Sequence, residues 1–198
     1  MLNLVYNYVM KKILLLLLIF CSCGCSFASN EELSKQATAF YSDNNHIKTM
    51  DLILQINEND RTAQDWLLLA NVLADNGKLE NAVFMYRKAI VVDKKCYKAY
   101  YNLGNYYMEK GNYNEAVDYY KKAISIKSDN PYMYYNLGCA YLKMNQFSQA
   151  KTAFNKALTY NTNIPELHYN LAYTYKQMGK TKLAQTYLDN YNKLASQL

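Results

Sequence analysis

The side chains that could do chemistry in this chain are few and scattered. Its 198 residues include two histidines, His46 and His168, and five cysteines. A general base or a nucleophile needs a second group held beside it, and these residues match no catalytic or zinc-binding spacing. The two cysteines beyond the N-terminal segment, Cys96 and Cys139, are expected to be half-buried thiols. The sequence therefore predicts a protein that is not an enzyme and that uses no metal or cofactor.

Tyrosine is the abundant side chain with a functional group. The chain contains 22 tyrosines, and each joins a large apolar ring to a hydroxyl, which suits contacts with another protein. The formal net charge is +6, and the basic residues are spread along the chain among acidic ones. A nucleic-acid-binding protein usually concentrates its basic residues in one stripe. We therefore expect a protein or peptide partner and no nucleic acid.

The N-terminus carries the pattern of a targeting segment. Two lysines precede an apolar run, residues 13–20, and small residues follow it. These are the parts of a bacterial secretory signal, and the run is shorter than the roughly 20 apolar residues that span a membrane. We predict that residues 1–28 are this signal, with translation starting at Met1 or Met10, and that the protein is exported to the cell envelope.

Two processing routes remain open for this segment, and both are favoured over an uncleaved membrane anchor. The small residues Ser26 and Ala28 fit cleavage by an ordinary signal peptidase before Ser29, which would release a periplasmic or secreted protein. Alternatively, Cys25 or Cys23 becomes the lipidated residue of a lipoprotein, which then associates with the membrane through its N-terminus.

The elements that position the remaining side chains recur with a period of about 34 residues. In the first half of each unit, a bulky residue is followed three positions later by Leu, then by Gly or Ala, and three positions further by Tyr or Leu. In the second half, Ala is followed four positions later by an aromatic residue or Leu. Spacings of three and four place these residues on one helical face. The four units read Trp66, Leu69, Ala70, Leu73 with Ala82, Tyr86; Tyr100, Leu103, Gly104, Tyr107 with Ala116, Tyr120; Tyr134, Leu137, Gly138, Tyr141 with Ala150, Phe154; and His168, Leu171, Ala172, Tyr175 with Ala184, Leu188.

This pattern resembles the tetratricopeptide repeat (TPR), which the two middle units match in full. The resemblance implies an all-α fold, a right-handed α-α superhelix or solenoid of helix-turn-helix repeats. The predicted units are residues 63–96, 97–130, 131–164 and 165–198, the last of which includes a C-terminal capping helix. Residues 29–62 carry helical spacing with small residues out of phase, and they are predicted to be a divergent N-terminal pair that caps the array.

The resemblance also implies where a partner binds. In this family the first helix of each unit lines a concave groove. Tyr101, Tyr135 and Tyr169 share one repeat position there and are expected to form a ladder along it. Recurring asparagines at the next position, such as Asn136, are expected to be structural hydrogen-bonding residues. The groove positions implied are Asn71, Asp75, Lys98, Tyr101, Asn105, Glu109, Tyr132, Tyr135, Cys139, Lys143, Tyr169, Tyr173 and Lys176.

These features predict a non-catalytic scaffold or adaptor of the bacterial cell envelope that binds a partner protein in its groove. Two alternatives stay open, namely a self-associating structural protein and an accessory protein that binds cell-wall glycan. Some members of the family hold the terminal carboxylate of chaperones with groove lysines and asparagines. The matching positions here hold residues such as Leu67, Tyr132 and Glu166, so we do not expect that ligand.

Overall fold

The computed structural model describes residues 28–197. The predicted signal segment up to residue 27, with its lipidation candidates Cys23 and Cys25, lies outside the described residues. Within residues 28–197 no helix is both long enough and apolar enough to cross a membrane.

The described part of the chain contains ten α-helices and no strand. They are α1 (Asn30–Ser42), α2 (His46–Gln55), α3 (Ala63–Asp75), α4 (Leu79–Val92), α5 (Tyr97–Glu109), α6 (Tyr113–Ile126), α7 (Pro131–Lys143), α8 (Phe147–Leu158), α9 (Pro165–Gln177) and α10 (Thr181–Ala195). Successive helices pair, giving an N-terminal pair (α1–α2) and units 1 to 4, each of which packs mainly on its neighbours. The predicted all-α superhelix is confirmed.

Each helix pair has an inner and an outer member. The first helices of neighbouring units come into contact, α5 with α7 and α7 with α9, whereas the second helices approach each other less closely. The second helix of each unit packs instead on the first helix of the next one, as α6 does on α7. The first helices therefore line the concave side of the superhelix, and the second helices form its outer face.

Local sequence explains where the helices begin and end. The Thr62 hydroxyl accepts from the Asp65 amide while the Asp65 carboxylate accepts from the Thr62 amide, which satisfies donors at the start of α3. Pro131 and Pro165 open α7 and α9, where a missing N–H costs nothing. After α7, Asn145 adopts a left-handed conformation with φ of 57°, and the other three units place glycine at that point.

Close approach of the two helices in units 2 and 3 depends on glycine. A Cβ atom at Gly104 would lie 2.5 Å from the Tyr120 ring, and one at Gly138 would collide with the Phe154 ring. Both rings are fully buried. The small residue of the repeat therefore creates the space that the large aromatic residue of the second helix fills.

The N-terminal pair is a further copy of the repeat with one residue fewer. Ala37 is the counterpart of Ala70 and Thr49 is the counterpart of Ala82, each one position short of the full period. Both Ala37 and Thr49 are fully buried, and the Thr49 hydroxyl, which donates to the Asn45 carbonyl at 2.9 Å, lies 3.4 Å from the Ala37 carbonyl oxygen. This shift explains why the small residues of the pair are out of phase in the sequence. A threonine also stands where the other units have alanine.

Candidate interaction groove

The first helices present two kinds of side chain to the concave side. One kind ties neighbouring units together, and the other faces solvent along the groove. The groove residues predicted from the repeat pattern divide between these kinds. Asn71, Tyr101, Asn105, Tyr135 and Cys139 are half-buried at the seams between units, while all the others are exposed.

Asparagines form the bonds at these seams. Asn136 of unit 3 donates to the Tyr101 hydroxyl at 2.8 Å and to the Asn105 side-chain oxygen at 3.1 Å. Asn170 of unit 4 makes the same bond to the Tyr135 hydroxyl at 3.1 Å. The prediction that these asparagines are structural is confirmed. Two members of the predicted tyrosine ladder use their hydroxyls within the protein.

The first seam differs in its partners. Asn102 donates to the Asn71 side-chain oxygen at 2.9 Å and to the Tyr86 hydroxyl at 3.1 Å. Unit 1 holds Leu67 where the later units hold tyrosine. The hydroxyl therefore comes from the second helix at this seam and from the first helix at the next two.

Burial at the seams shifts the ionisation of their acidic groups. Desolvation raises the pKa of Tyr135, and contact with the Cys139 thiol adds to that rise. Burial raises the pKa of Cys139 to about 11, and the hydrogen bond with Tyr135 partly opposes the rise. Cys139 is a free thiol, as is Cys96. Thiols that stay protonated at neutral pH are poor nucleophiles, so Cys139 acts here as a packing residue.

The exposed groove residues at one repeat position change the sign of their charge along the array. In chain order, Asp75, Glu109 and Lys143 occupy the same repeat position in units 1, 2 and 3. Lys176 of unit 4 is also exposed. At this position the charge therefore changes from acidic in units 1 and 2 to basic in unit 3, whereas Lys98 of unit 2 and Glu166 of unit 4, at an earlier position of the first helices, have the opposite order. The remaining exposed groove residues are Lys98, Tyr132, Tyr169 and Tyr173.

A cavity of about 370 Å³ lies at the acidic end of the groove. Asp75 and Glu109 line it together with Asn71, Tyr41 and Tyr106. The Tyr41 hydroxyl donates to the Asp75 carboxylate at 3.0 Å. Burial is the main cause that raises the pKa of Tyr41 to about 12, and this hydrogen bond is the second cause. Phenol and carboxylate thus form one polar wall of the cavity.

Tyr41 is the main residue of this cavity that the sequence analysis missed. Once the missing residue of the N-terminal pair is allowed for, Tyr41 occupies the repeat position of Ala74, Met108, Leu142 and Lys176, of which only Lys176 is among the predicted groove residues. The signal in the sequence is therefore weak, and the shift of the pair obscures it further. Helix α1 therefore contributes Tyr41 to this end of the groove.

The two histidines occupy unrelated environments. His46 Nε2 lies 3.5 Å from the Asp75 carboxylate, at the acidic end. His168 is buried in unit 4 with its Nε2 2.7 Å from the Thr162 carbonyl oxygen. Among residues 28–197 no three His, Cys, Asp or Glu side chains are placed to hold a metal ion.

Comparisons with known proteins agree with this architecture. The family described as the tetratricopeptide repeat protein 21 C-terminal ARM domain matches residues 26–171, and the tetratricopeptide repeat family matches residues 165–197. Comparison with curated proteins gave no match.

Solved structures with the same fold share little sequence with this chain. MamA of AMB-1 aligns with a TM-score of 0.73 and 19% identity, over 84% of this chain and 92% of that one. MamA of MSR-1 gives 0.71 and 20%, over 85% and 97%. The C-terminal part of a TPR repeat-containing protein from Cytophaga hutchinsonii gives 0.70 and 22%, over 86% and 69%. Together with the family match across most of its length, the repeated helix pairs show that the chain belongs to the tetratricopeptide repeat family.

Proposed function

We propose that this protein is a non-catalytic scaffold of the bacterial cell envelope that holds a segment of a partner protein in its concave groove. The observation that carries the proposal is the change from acidic Asp75 and Glu109 to basic Lys143 at one repeat position. A packed repeat array needs no charge at this exposed position, and it needs no change of sign along the array. A bound segment with a basic residue near Asp75 and Glu109 and an acidic residue near Lys143 would be held in one direction.

The acidic end has room for a single long side chain. Its cavity of about 370 Å³ offers the two carboxylates and the Asn71 and Asn105 amides. Neither Asp75 nor Glu109 pairs with a lysine or arginine among residues 28–197. A lysine or arginine of the partner would supply the missing positive charge.

The basic end offers aromatic contact area. Tyr132, Tyr169 and Tyr173 have exposed fractions of 53%, 52% and 45%. Exposed tyrosines near a groove supply rigid apolar surface at a low cost in conformational entropy. The partner segment would therefore place apolar side chains on these rings and its acidic residues near Lys143 and Lys176.

The test compares cross-linked partners of the wild type with those of two variants expressed in the native envelope. The groove variant carries Tyr132→Ala, Tyr169→Ala and Tyr173→Ala. These exposed rings are better targets than Tyr101 and Tyr135, whose hydroxyls accept hydrogen bonds between units. The control carries Leu54→Ala, Phe84→Ala and Val91→Ala, which are exposed residues of the second helices.

We expect the groove variant to lose a partner that the wild type and the control retain. The charge-reversed variant Asp75→Lys, Glu109→Lys should lose the same partner. Circular dichroism must show that all variants fold. If the groove variants keep every partner of the wild type, the concave groove is not the binding surface.

The envelope location is a separate part of the proposal, since it is supported only by the sequence of residues 1–28. Radioactive palmitate labelling distinguishes the two routes of export. A lipoprotein would lose its label in a Cys25→Ser or a Cys23→Ser variant. An unlabelled protein found in the periplasmic fraction would favour cleavage before Ser29. A protein that stays in the cytoplasm would contradict the envelope role without affecting the groove.

A further inference from the structure

One position on the second helices differs between the units in a way that opens a cavity on the outer face. Met85, Tyr119, Ala153 and Tyr187 occupy this position in units 1 to 4. Units 1, 2 and 4 thus place a large side chain there, and unit 3 places a methyl group.

The tyrosines of units 2 and 4 show what the position normally contains. The Tyr119 ring stacks on the Tyr107 ring with centroids 5.2 Å apart and an interplanar angle of 7°. In unit 4 the Tyr187 ring stacks on the Tyr175 ring at 5.3 Å and 13°. In both units, the second-helix ring covers the last aromatic residue of the first helix.

Unit 3 has the aromatic residue on its first helix but no aromatic ring on its second helix to stack on it. Tyr141 is the counterpart of Tyr107 and Tyr175. With Ala153 in place of tyrosine, Tyr141, Tyr134 and Leu137 line an open cavity of about 630 Å³. This volume exceeds what one phenol ring fills and is within the range of pockets that bind ligands. It can take an aromatic side chain together with part of the chain that carries it.

The charges at this cavity are positive. Lys156 is the one charged residue among those that line it, and Lys121 Nζ lies 5.9 Å from the centre of the Tyr141 ring. Gln149 and Thr152 of unit 3 also line the cavity, and both are neutral. Unit 2 has carboxylates at these two positions, in Glu115 and Asp118.

We propose that this cavity binds an aromatic side chain of a partner protein, presented next to a carboxylate. The ring would stack on Tyr141 as Tyr119 stacks on Tyr107, and the carboxylate would lie near Lys121 and Lys156. A second copy of the chain would offer the exposed Phe84 ring of its own second helices. Lys88 Nζ, which pairs with Glu58, lies 5.5 Å from the centre of that ring, so Phe84 presents a lysine where the proposed ligand has a carboxylate, and a second copy is an outcome of the test below.

The probe is the blocked peptide Gly-Asp-Tyr-Glu-Gly, with matched peptides in which alanine replaces the tyrosine or lysine replaces both acids. Its binding site is identified by NMR of the protein labelled in alanine methyl groups. We expect the tyrosine peptide to move the Ala153 methyl signal upfield, because that methyl would lie against the ring. Neither matched peptide should produce this shift.

The variant Ala153→Tyr fills the cavity from within. It should fold, since units 2 and 4 accommodate the same residue. The affinity for a fluorescent form of the peptide should fall at least about tenfold. Ala153→Met, which copies unit 1, provides a second filled variant. The groove variant described above should bind the peptide as the wild type does, which separates this site from the concave groove.

Three results would overturn the proposal. The first is an unchanged Ala153 signal at millimolar concentrations of the tyrosine peptide. The second is wild-type affinity in a folded Ala153→Tyr or Ala153→Met variant. The third is a concentration-dependent dimer of the wild type that Ala153→Tyr abolishes, because the occupant would then be a second copy of the chain.

Discussion

The side-chain amide of Asn136 donates to the hydroxyl of Tyr101, 35 residues earlier, at a distance of 2.8 Å. The same amide donates to Asn105, so one asparagine of unit 3 binds two residues of unit 2. The bonds join different units, whereas the hydrogen bonds of each helix lie within a unit. They therefore couple the folding of one helix pair to that of the next.

Asn136→Ala should reduce the free energy of unfolding by about 1–3 kcal/mol, because it leaves half-buried oxygens of Tyr101 and Asn105 with one bond fewer. Tyr101→Phe should cost about 1 kcal/mol, since it removes only one acceptor. Tyr169→Phe is the matched control, because no helix follows α10 within the described residues. Urea unfolding followed by circular dichroism measures all three. Equal effects of the two tyrosine substitutions would contradict a structural role for the bond.

Gly138→Ala should destabilise the protein by about 1–3 kcal/mol, because the added methyl group collides with the buried Phe154 ring. Unit 4 combines Ala172 with Leu188, whereas unit 1 combines Ala70 with the Tyr86 ring. The double variant Gly138→Ala, Phe154→Leu should be more stable than the sum of its single changes predicts. Thermal unfolding of the wild type, the two single variants and the double variant gives the coupling free energy between the two positions. Strict additivity would mean that the helices move apart to accommodate the methyl group.

Asn145→Gly should stabilise the protein by up to about 1 kcal/mol, because the left-handed conformation at Asn145 costs a residue with a side chain more than it costs glycine. Asn145→Ala should have the opposite effect. Denaturant midpoints of the three proteins measure the difference. A lower stability of Asn145→Gly would indicate that the asparagine side chain has a contact worth more than the strain.

The protein should lose stability as the pH rises above about 10, the ordinary pKa of tyrosine in an unfolded chain. Burial raises the pKa of Tyr86 and of Tyr120, and it raises that of Tyr41 to about 12. The folded state therefore holds protons that the unfolded state releases. The retained protons contribute their full stabilisation to the folded state below pH 10. For Tyr41, this stabilisation is lost as the pH approaches 12.

Denaturant unfolding between pH 7 and 12, together with tyrosinate absorbance, tests this dependence on pH. Tyr120→Phe should be less stable than the wild type at pH 7, because Asn105 loses the hydroxyl that donates to it at 2.8 Å. The stability of this variant should also fall less steeply above pH 10. A wild-type stability that is constant up to pH 12 would contradict the burial of these hydroxyls.

The repeat period predicted the fold because a helix pair without its neighbours leaves an apolar face exposed. The resemblance to the TPR then implied which helix of each unit lies on the inner side. What could not be predicted is which inner residues stay available to a partner. The availability of Tyr101 depends on a bond from Asn136 in the next unit, and within residues 28–197 no such bond reaches Tyr169. It is therefore a property of pairs of units, while the pattern describes one unit at a time.

Two further features could have been predicted from the sequence. Aligning Ala153 with Tyr119 and Tyr187 reveals the missing ring, although only the structure shows that no other side chain fills the space. The change of charge from Asp75 and Glu109 to Lys143 can be found from the sequence alone. The N-terminal pair was harder to place, because losing one residue moves Ala37 off the period of the other units.

Unit 3 carries both halves of the bond between units, the donor Asn136 and, in Tyr135, an acceptor for the unit that follows. A gene duplication that inserted a second copy of residues 131–164 after the first would give every new asparagine a tyrosine to bind. Unit 1 could not be copied in this way, because Leu68 stands where the later units have the donor asparagine. The array can therefore lengthen by duplication within its middle, and the groove with it, without any new contact having to evolve.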